Sequence, residues 1–443
     1  MSTLKNVFRT RELRNKILFT LMVIVIYRVG VQVPAPGVNL DAIQAMRENA
    51  SDTSGGIFGY LNLFSGGGIG NLSLFALGVL PYITASIIIQ ILTIAIPKLE
   101  EWQAQGAVGQ RKINQWTRYV AMILALVQGT GIVFLISRNP ESLFGGGAPN
   151  LFPDTQPHWA FKVILAVMCM TVGTALLMWM GEMIDQKGIG NGMSILIFAS
   201  VVSSLPAVAI QIQELRGWPG LAIGIVMLIG LIAGIVFVEQ GQRRIPVNFA
   251  KRVVGRRQYG GNNTYIPLKV NQAGVIPVIF ASSLLQLPTL IVNVLPTGGW
   301  GESVRNFVDT NFFRPDNLGY IVVFGLLIVG FAYFYNSIAF DPVRRADELR
   351  KSGGFIPGIR PGRQTEIHLS KILNRITLPG AIFLAVVALI PSAALARALG
   401  SGSSAVSIGF SGVSILIAAG VALEFMKQID SQLMSRNYEG FLK

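Results

Sequence analysis

The chain has 443 residues, of which 51% are hydrophobic and 13% charged, about half the charged share of an ordinary soluble domain. Its mean hydropathy is +0.55 and its formal net charge +14. These values exclude a water-soluble globular enzyme as the starting picture. A membrane is the main solvent, and a helix of about 20 mostly apolar residues is needed to cross its hydrocarbon core of about 30 Å.

Runs of that length recur from one end of the chain to the other. In chain order they predict ten helices, near 15–34, 72–96, 116–137, 160–181, 192–211, 218–238, 272–295, 318–340, 376–393 and 408–428. The fold class is therefore an all-α polytopic membrane protein with ten transmembrane helices. No small-residue cleavage site follows the first run, which reads as a retained helix rather than a signal peptide. The spans divide into two sets of five, residues 1–211 and 212–443. An odd number of helices per set turns the second set over, as in two pseudo-symmetric inverted halves.

Charge sets the orientation. Of 36 Lys and Arg, 28 lie in the N-terminal arm, the C-terminal tail and the loops after helices 2, 4, 6 and 8, against 7 in the alternate loops and Arg28 inside helix 1. Basic residues accumulate on the cytoplasmic side, so both termini are expected there. Arg28, near the outer end of its helix, is expected to snorkel to the interface.

Two cytoplasmic loops, about 239–270 and 341–375, are unusually rich in charge. The first holds Arg243, Arg244, Lys251, Arg252, Arg256, Arg257 and Lys269 against one acid, Glu239. The second holds eight basic and four acidic residues. One reading is topology plus attraction to anionic lipid, worth about 1 kcal/mol per basic residue near the surface. The other is docking of a large anionic partner such as ribosomal RNA, or of a soluble motor. Loop length, and the Pro, Gly, Tyr and Phe between the charges, favour docking.

Chemistry-bearing residues are scarce. Cys169 sits in an apolar run as a small buried hydrophobe. His158 and His368 lie far apart with no second ligand at metal spacing. No Ser-His, Cys-His or paired-carboxylate arrangement falls in a span, and Glu182 and Glu424 lie near cytoplasmic helix ends. The chain is expected to be no enzyme and to carry no catalytic residue, cofactor or metal. A secondary transporter or small-solute channel is the alternative reading, but such proteins place ionisable groups at depth. A non-conducting scaffold is a third.

The segment IFGYLNLFSGGGIGN (57–71) is too short to cross, with Ile57, Leu61 and Phe64 at helical spacing followed by Gly66, Gly67 and Gly68. It is either an interfacial helix or a re-entrant half-helix, with the glycines as a hinge. GIGNG (188–192) reads as a helix C-cap and close helix packing rather than a phosphate nest.

Five stretches together resemble the SecY/Sec61-alpha family of protein-conducting channels: FSGGGIGNLSLFALGVLPYITASIIIQILT (64–93), GEMIDQKGIGNGMSILIF (181–198), GQRRIPVNFAKR (241–252), PLKVNQAGVIPVIFASS (267–283) and SGGFIPGIRPG (352–362). The resemblance runs in order over essentially the whole chain. It implies a clamshell of helices 1–5 and 6–10 around an hourglass channel that opens sideways between helices 2 and 7. The pore ring implied is Val79, Ile83, Met193, Ile197, Ile279 and Ile417. Bulky apolar side chains there seal around a moving polypeptide without hydrogen bonds to hold it. Val79 and Met193 depart from the isoleucine of the family pattern, which throws more of the seal onto the plug, implied at about 57–71.

By the same resemblance Arg243, Arg244, Lys251, Arg252, Arg256, Arg257 and Arg360 meet the ribosome or the SecA motor. The implied partners also include the small subunits SecE and SecG, signal peptides and membrane lipid, in a bacterial plasma membrane. The resemblance also implies that energy comes from the partner, as GTP-driven synthesis or ATP hydrolysis; the chain itself has no G-x-x-x-x-G-K-[ST] motif.

Overall fold

A computed structural model describes residues 11–39, 65–138, 159–249, 252–254, 257–259, 264–294, 301, 317–399 and 412–440. The first five helices are α1 (Arg11–Gln32), α2 (Leu80–Ala95), α3 (Pro97–Ala104), α4 (Ala107–Arg138) and α5 (Trp159–Lys187). A long rod then splits at Gly217, with φ 67° and ψ −165°, into α6 (Gly192–Glu214) and α7 (Gly217–Gln240). Next come α8 (Ile276–Val294), α9 (Leu318–Ala339), α10 (Pro342–Lys351), α11 (Arg363–Leu399) and α12 (Gly412–Gly440).

Among the described residues eight helices are long and apolar enough to cross a membrane, and α2 with α3, bent by 98°, makes up to nine. α8 is a further apolar helix, so each of the ten apolar runs falls on helix. The protein is a mostly helical, multi-pass membrane protein. Its helices are two-faced in the sense a bilayer demands. On α1, Val23, Tyr27 and Val31 are buried, whereas Leu18, Met22, Val25 and Val29 are exposed. Both sets recur every three or four residues, so one stripe packs inward and the other meets lipid tails.

One large apolar cluster takes side chains from α1, α2, α5, α6, α7, α8, α9, α11 and α12. A second joins Ile69, Leu72, Ala76 and Leu77 to α4 and α5. α5 and α6 meet backbone to backbone: a Cβ on Gly192 would stand 2.0 Å from the Gly181 carbonyl oxygen. The Asn191 side chain accepts from the Ser194 N–H at 3.2 Å, and Asp185 accepts from the Gly192 N–H at 2.7 Å. GIGNG is thus a close-packing device, as expected, and its Asn191 is the N-cap of α6 where a C-cap was expected.

Two departures from the expected elements matter. Helix 2 begins at Leu80 rather than near 72, because residues 65–79 are held in turns by an isolated bridge between Pro34 and Ser73. The Ala35 N–H donates to the Leu72 carbonyl at 2.8 Å and the Leu74 N–H to that of Val33 at 3.0 Å. The basic loop after α7 is not irregular but a hairpin, β1 (Gln242–Phe249) against β4 (Thr264–Lys269), with β2 (Arg252–Val254) and β3 (Arg257–Tyr259) paired beyond it. β1 also pairs with β5 (Gly354–Phe355) through Asn248 and Phe355. The two charged loops therefore form one body, whose core holds Ile245, Val247, Leu268, Phe340, Ile356, Leu369, Ile372 and Leu373. β5 reaches only Asn248 and Phe249, so at Pro246 β1 has a partner on one side alone, where proline is admissible.

Candidate functional site

The six residues expected at a constriction come from α2, α6, α8 and α12 and its approaches, and all of them fall in one apolar cluster. Val79, Ile197, Ile279 and Ile417 are buried, at 1%, 5%, 8% and 0% exposure. Ile83 and Met193 are half-buried and pack against the same cluster. Val79 is the residue before α2, and the Ile83 N–H donates to its carbonyl at 3.1 Å, which sets the two side chains one turn apart. Ile197 follows Met193 by one turn of α6. α2 and α8, the helices that flank the expected sideways opening, touch one another. Met193 divides its packing. It also belongs to a cluster with Ala85, Ala121 and Met178, and its Sδ lies where a Cβ on Gly181 would stand. The group as a whole offers aliphatic and thioether surface and no charge, so it can exclude water but has nothing with which to bind an ion or transfer a proton.

Of the segment expected to plug the channel, Ile57, Leu61 and Phe64 lie outside the described residues, while Gly66, Gly67 and Gly68 lie in a run of turns. Gly66 and Gly67 have φ of 64° and 93°, a region in which a side chain is strained. Gly66 also lets the backbone come close: a Cβ there would sit 3.0 Å from Arg28 Nη1 and 3.2 Å from the Ser200 Cα.

That approach is used. Arg28 donates from Nη1 to the Gly66 carbonyl at 3.0 Å and to the Ser203 hydroxyl at 2.8 Å. The Tyr27 hydroxyl donates to the Ser65 carbonyl at 3.2 Å and lies 2.6 Å from the Ser200 hydroxyl. Arg28 therefore does not snorkel; it joins α1, α6 and the end of the plug-like segment. Tyr27, Ser200 and Ser203 are functional candidates that periodicity alone does not single out. The available signal is an arginine inside the otherwise uncharged stretch 17–33, with Ser200 and Ser203 three apart on one helix face.

The described residues among those expected to dock a partner sit on the small body that the two charged loops form. Arg243 and Arg244 lie on β1, and the Arg244 guanidinium stacks over the Tyr265 ring with 4.9 Å to its centroid, a cation–π contact. Arg360 is exposed in the turn before α11, where its carbonyl accepts from the Thr365 hydroxyl at 3.1 Å. Because β1 pairs with β5, Arg243, Arg244 and Arg360 share one platform. Arg252 and Arg257 are on the paired strands β2 and β3. Lys251 and Arg256 lie outside the described residues. At the base of the hairpin, Asn271 donates from Nδ2 to the Glu239 carboxylate and to the Gly274 carbonyl, both at 3.0 Å. The one acid of that loop thus ties the end of α7 to the start of α8.

The SecY family model matches residues 73–426. The chain belongs to the SecY family. Protein translocase subunit SecY of Mycobacterium bovis is 50% identical over 442 residues, covering 98% of both chains. SecY of Streptomyces galbus is 50% identical over 446 residues, again covering 98% of each, and that of Corynebacterium glutamicum is 46% identical over 449 residues, covering 100% of each. The fold is shared with solved SecY-type chains. One, described as a protein-conducting channel, gives a TM-score of 0.64 at 18% identity and covers 95% of this chain and 93% of its own. Sec61 in a canine ribosome–channel complex gives 0.60 at 17% identity, with the same coverage.

Proposed function

We propose that the chain is the conducting subunit of a protein translocase, which passes unfolded polypeptides across a membrane and releases apolar segments sideways into it. The observation that carries this reading is the convergence of α2, α6, α8 and α12 on one uncharged apolar cluster, in a chain of the SecY family. A coupled transporter needs ionisable groups along its path, and the six clustered residues have none.

In this reading the halves 1–211 and 212–443 are inverted repeats that hinge about the cluster. Val79, Ile83, Met193, Ile197, Ile279 and Ile417 form the ring, and residues 57–71 are the plug above it. The seam between α2 and α8 is the lateral exit. The basic platform faces the cytoplasm, as do both termini, in a bacterial plasma membrane, and the 28-to-7 distribution of Lys and Arg supports that orientation. The ribosome and the SecA motor dock on Arg243, Arg244, Arg360 and the β2–β3 tip, and supply the energy. SecE and SecG are the membrane partners. The chain performs no bond chemistry: its work is to stay sealed around a moving substrate. Reconstituted channels test this reading. Deletion of residues 57–71 raises resting ion conductance if the segment is a plug, and leaves it unchanged if the chain is a scaffold.

A further inference from the structure

Two recesses lie end to end on one face of α11. The upper one, of about 630 Å³, is lined among the described residues by Glu366, Ile367, Ser370, Lys371, Asn374, Arg375 and Leu378. The lower one, of about 380 Å³, lies between α9 and α11, with Gly325, Leu326 and Val329 on one wall and Ile382, Val386 and Leu389 on the other. Lys371, Arg375, Leu378, Ile382, Val386 and Ile390 are all exposed and follow at spacings of three or four residues. They form a single stripe that changes from basic to wholly apolar. Lys371 and Arg375 enter none of the ion pairs among the described residues.

We infer that this stripe is a binding site for one anionic diacyl phospholipid, with its phosphate held by Lys371 and Arg375 and an acyl chain laid in the groove between α9 and α11. Depth supports this occupant. At 1.5 Å per residue, Ile382 lies about 10 Å and Leu389 about 21 Å below Arg375, the depth of one leaflet from headgroup to midplane in a bilayer about 40–45 Å thick with its headgroups. Charge supports it too: two basic side chains, with Ser370 and Asn374 as donors beside them, outweigh the single carboxylate of Glu366. Gly325 makes the groove. A Cβ there would meet Leu389 Cδ1 at 3.6 Å, ordinary contact, so a larger side chain fills the space rather than breaking the helix pair. The inference rests on α9 and α11 spanning the membrane and not on conduction.

Native mass spectrometry of the purified full-length protein, with whatever subunits accompany it, tests the site against added phosphatidylglycerol and phosphatidylcholine. The parent is expected to retain phosphatidylglycerol preferentially. The double variant Lys371→Gln, Arg375→Gln should lose about tenfold or more of that preference, from two basic groups at the surface. Gly325→Leu should weaken retention of both long-chain lipids but not of a short-chain analogue, with thermal unfolding unchanged. Equal retention of the two lipids by the parent, or an unchanged preference in the double variant, overturns the site. Loss of a co-purifying protein from the double variant, with no lipid preference in the parent, assigns the stripe to a protein partner and overturns it as well.

Discussion

Arg28 of α1 donates to the Ser203 hydroxyl of α6 at 2.8 Å, and from the same Nη1 to the carbonyl of Gly66 at 3.0 Å. The bond to Ser203 joins the two helices directly, whereas the bond to Gly66 is made only while residues 65–71 are seated against them. Hydrogen bonds to charged groups contribute about 1.5–3 kcal/mol, enough to bias a seated-to-unseated equilibrium by tenfold or more. In the proposed function the interaction would act as a latch on the plug-like segment.

Removal of the latch should loosen the seal without unfolding the protein. Arg28→Leu deletes both bonds and Ser203→Ala only one, so resting conductance of reconstituted channels should rise in both, and more in the first. The two variants should accumulate like the parent. Conductance equal to the parent's in Arg28→Leu would mean that the contact is packing alone.

The docking platform should respond to charge and salt. Charge reversal at Arg256 and Arg257 is expected to weaken motor and ribosome binding, with the largest effect at low ionic strength, because exposed charges are screened beyond about 8 Å at physiological salt. Arg243→Glu and Arg360→Glu should do the same if one partner spans the platform. Insertion and resting conductance should be unaffected. Binding measured across a salt series decides the matter: affinities that match the parent at low salt would assign these residues to topology.

The platform also has a core of its own, so its stability should separate from that of the membrane bundle. Leu369 is fully buried beside Val247 and Leu268, and Leu369→Ala should destabilise this body by about 2–5 kcal/mol. Hydrogen exchange at β1 and β4 should quicken and partner binding should fall, while the exchange of α6 and α12 stays slow. Uniform acceleration across the whole chain would contradict a separate platform.

The helices were legible in the sequence because a bilayer imposes one strong rule, a run of about 20 apolar residues per crossing. That rule is blind to backbone shape. Leu72–Gly78 is as apolar as a span, yet it forms turns because Pro34 and Ser73 pair. The sheet on the two charged loops was illegible for another reason. Asn248 meets Phe355 across more than a hundred residues, and Pro246 and Pro267 weaken the alternation that marks a strand. Arg28 was misplaced because its partners, Gly66 and Ser203, are distant in sequence, and a lone arginine near a helix end ordinarily snorkels. The ring residues carry no local signal at all. Ile197 and Ile279 look like any packing isoleucine, and only the family resemblance singled them out.

The central claim is that the cluster of Val79, Ile83, Met193, Ile197, Ile279 and Ile417 is the gate, and the most direct measurement is resting ion conductance of the Ile197→Asn, Ile279→Asn double variant. A narrow apolar neck stays dry because hydrating it is unfavourable, and two amides should wet it. Ordinary core substitutions lower protein amount, so the variant's abundance is measured alongside. The account predicts raised conductance at normal abundance, together with export of substrates whose signal sequences are too weakly apolar for the parent. A double variant that accumulates normally and remains as ion-tight and as signal-selective as the parent would contradict it.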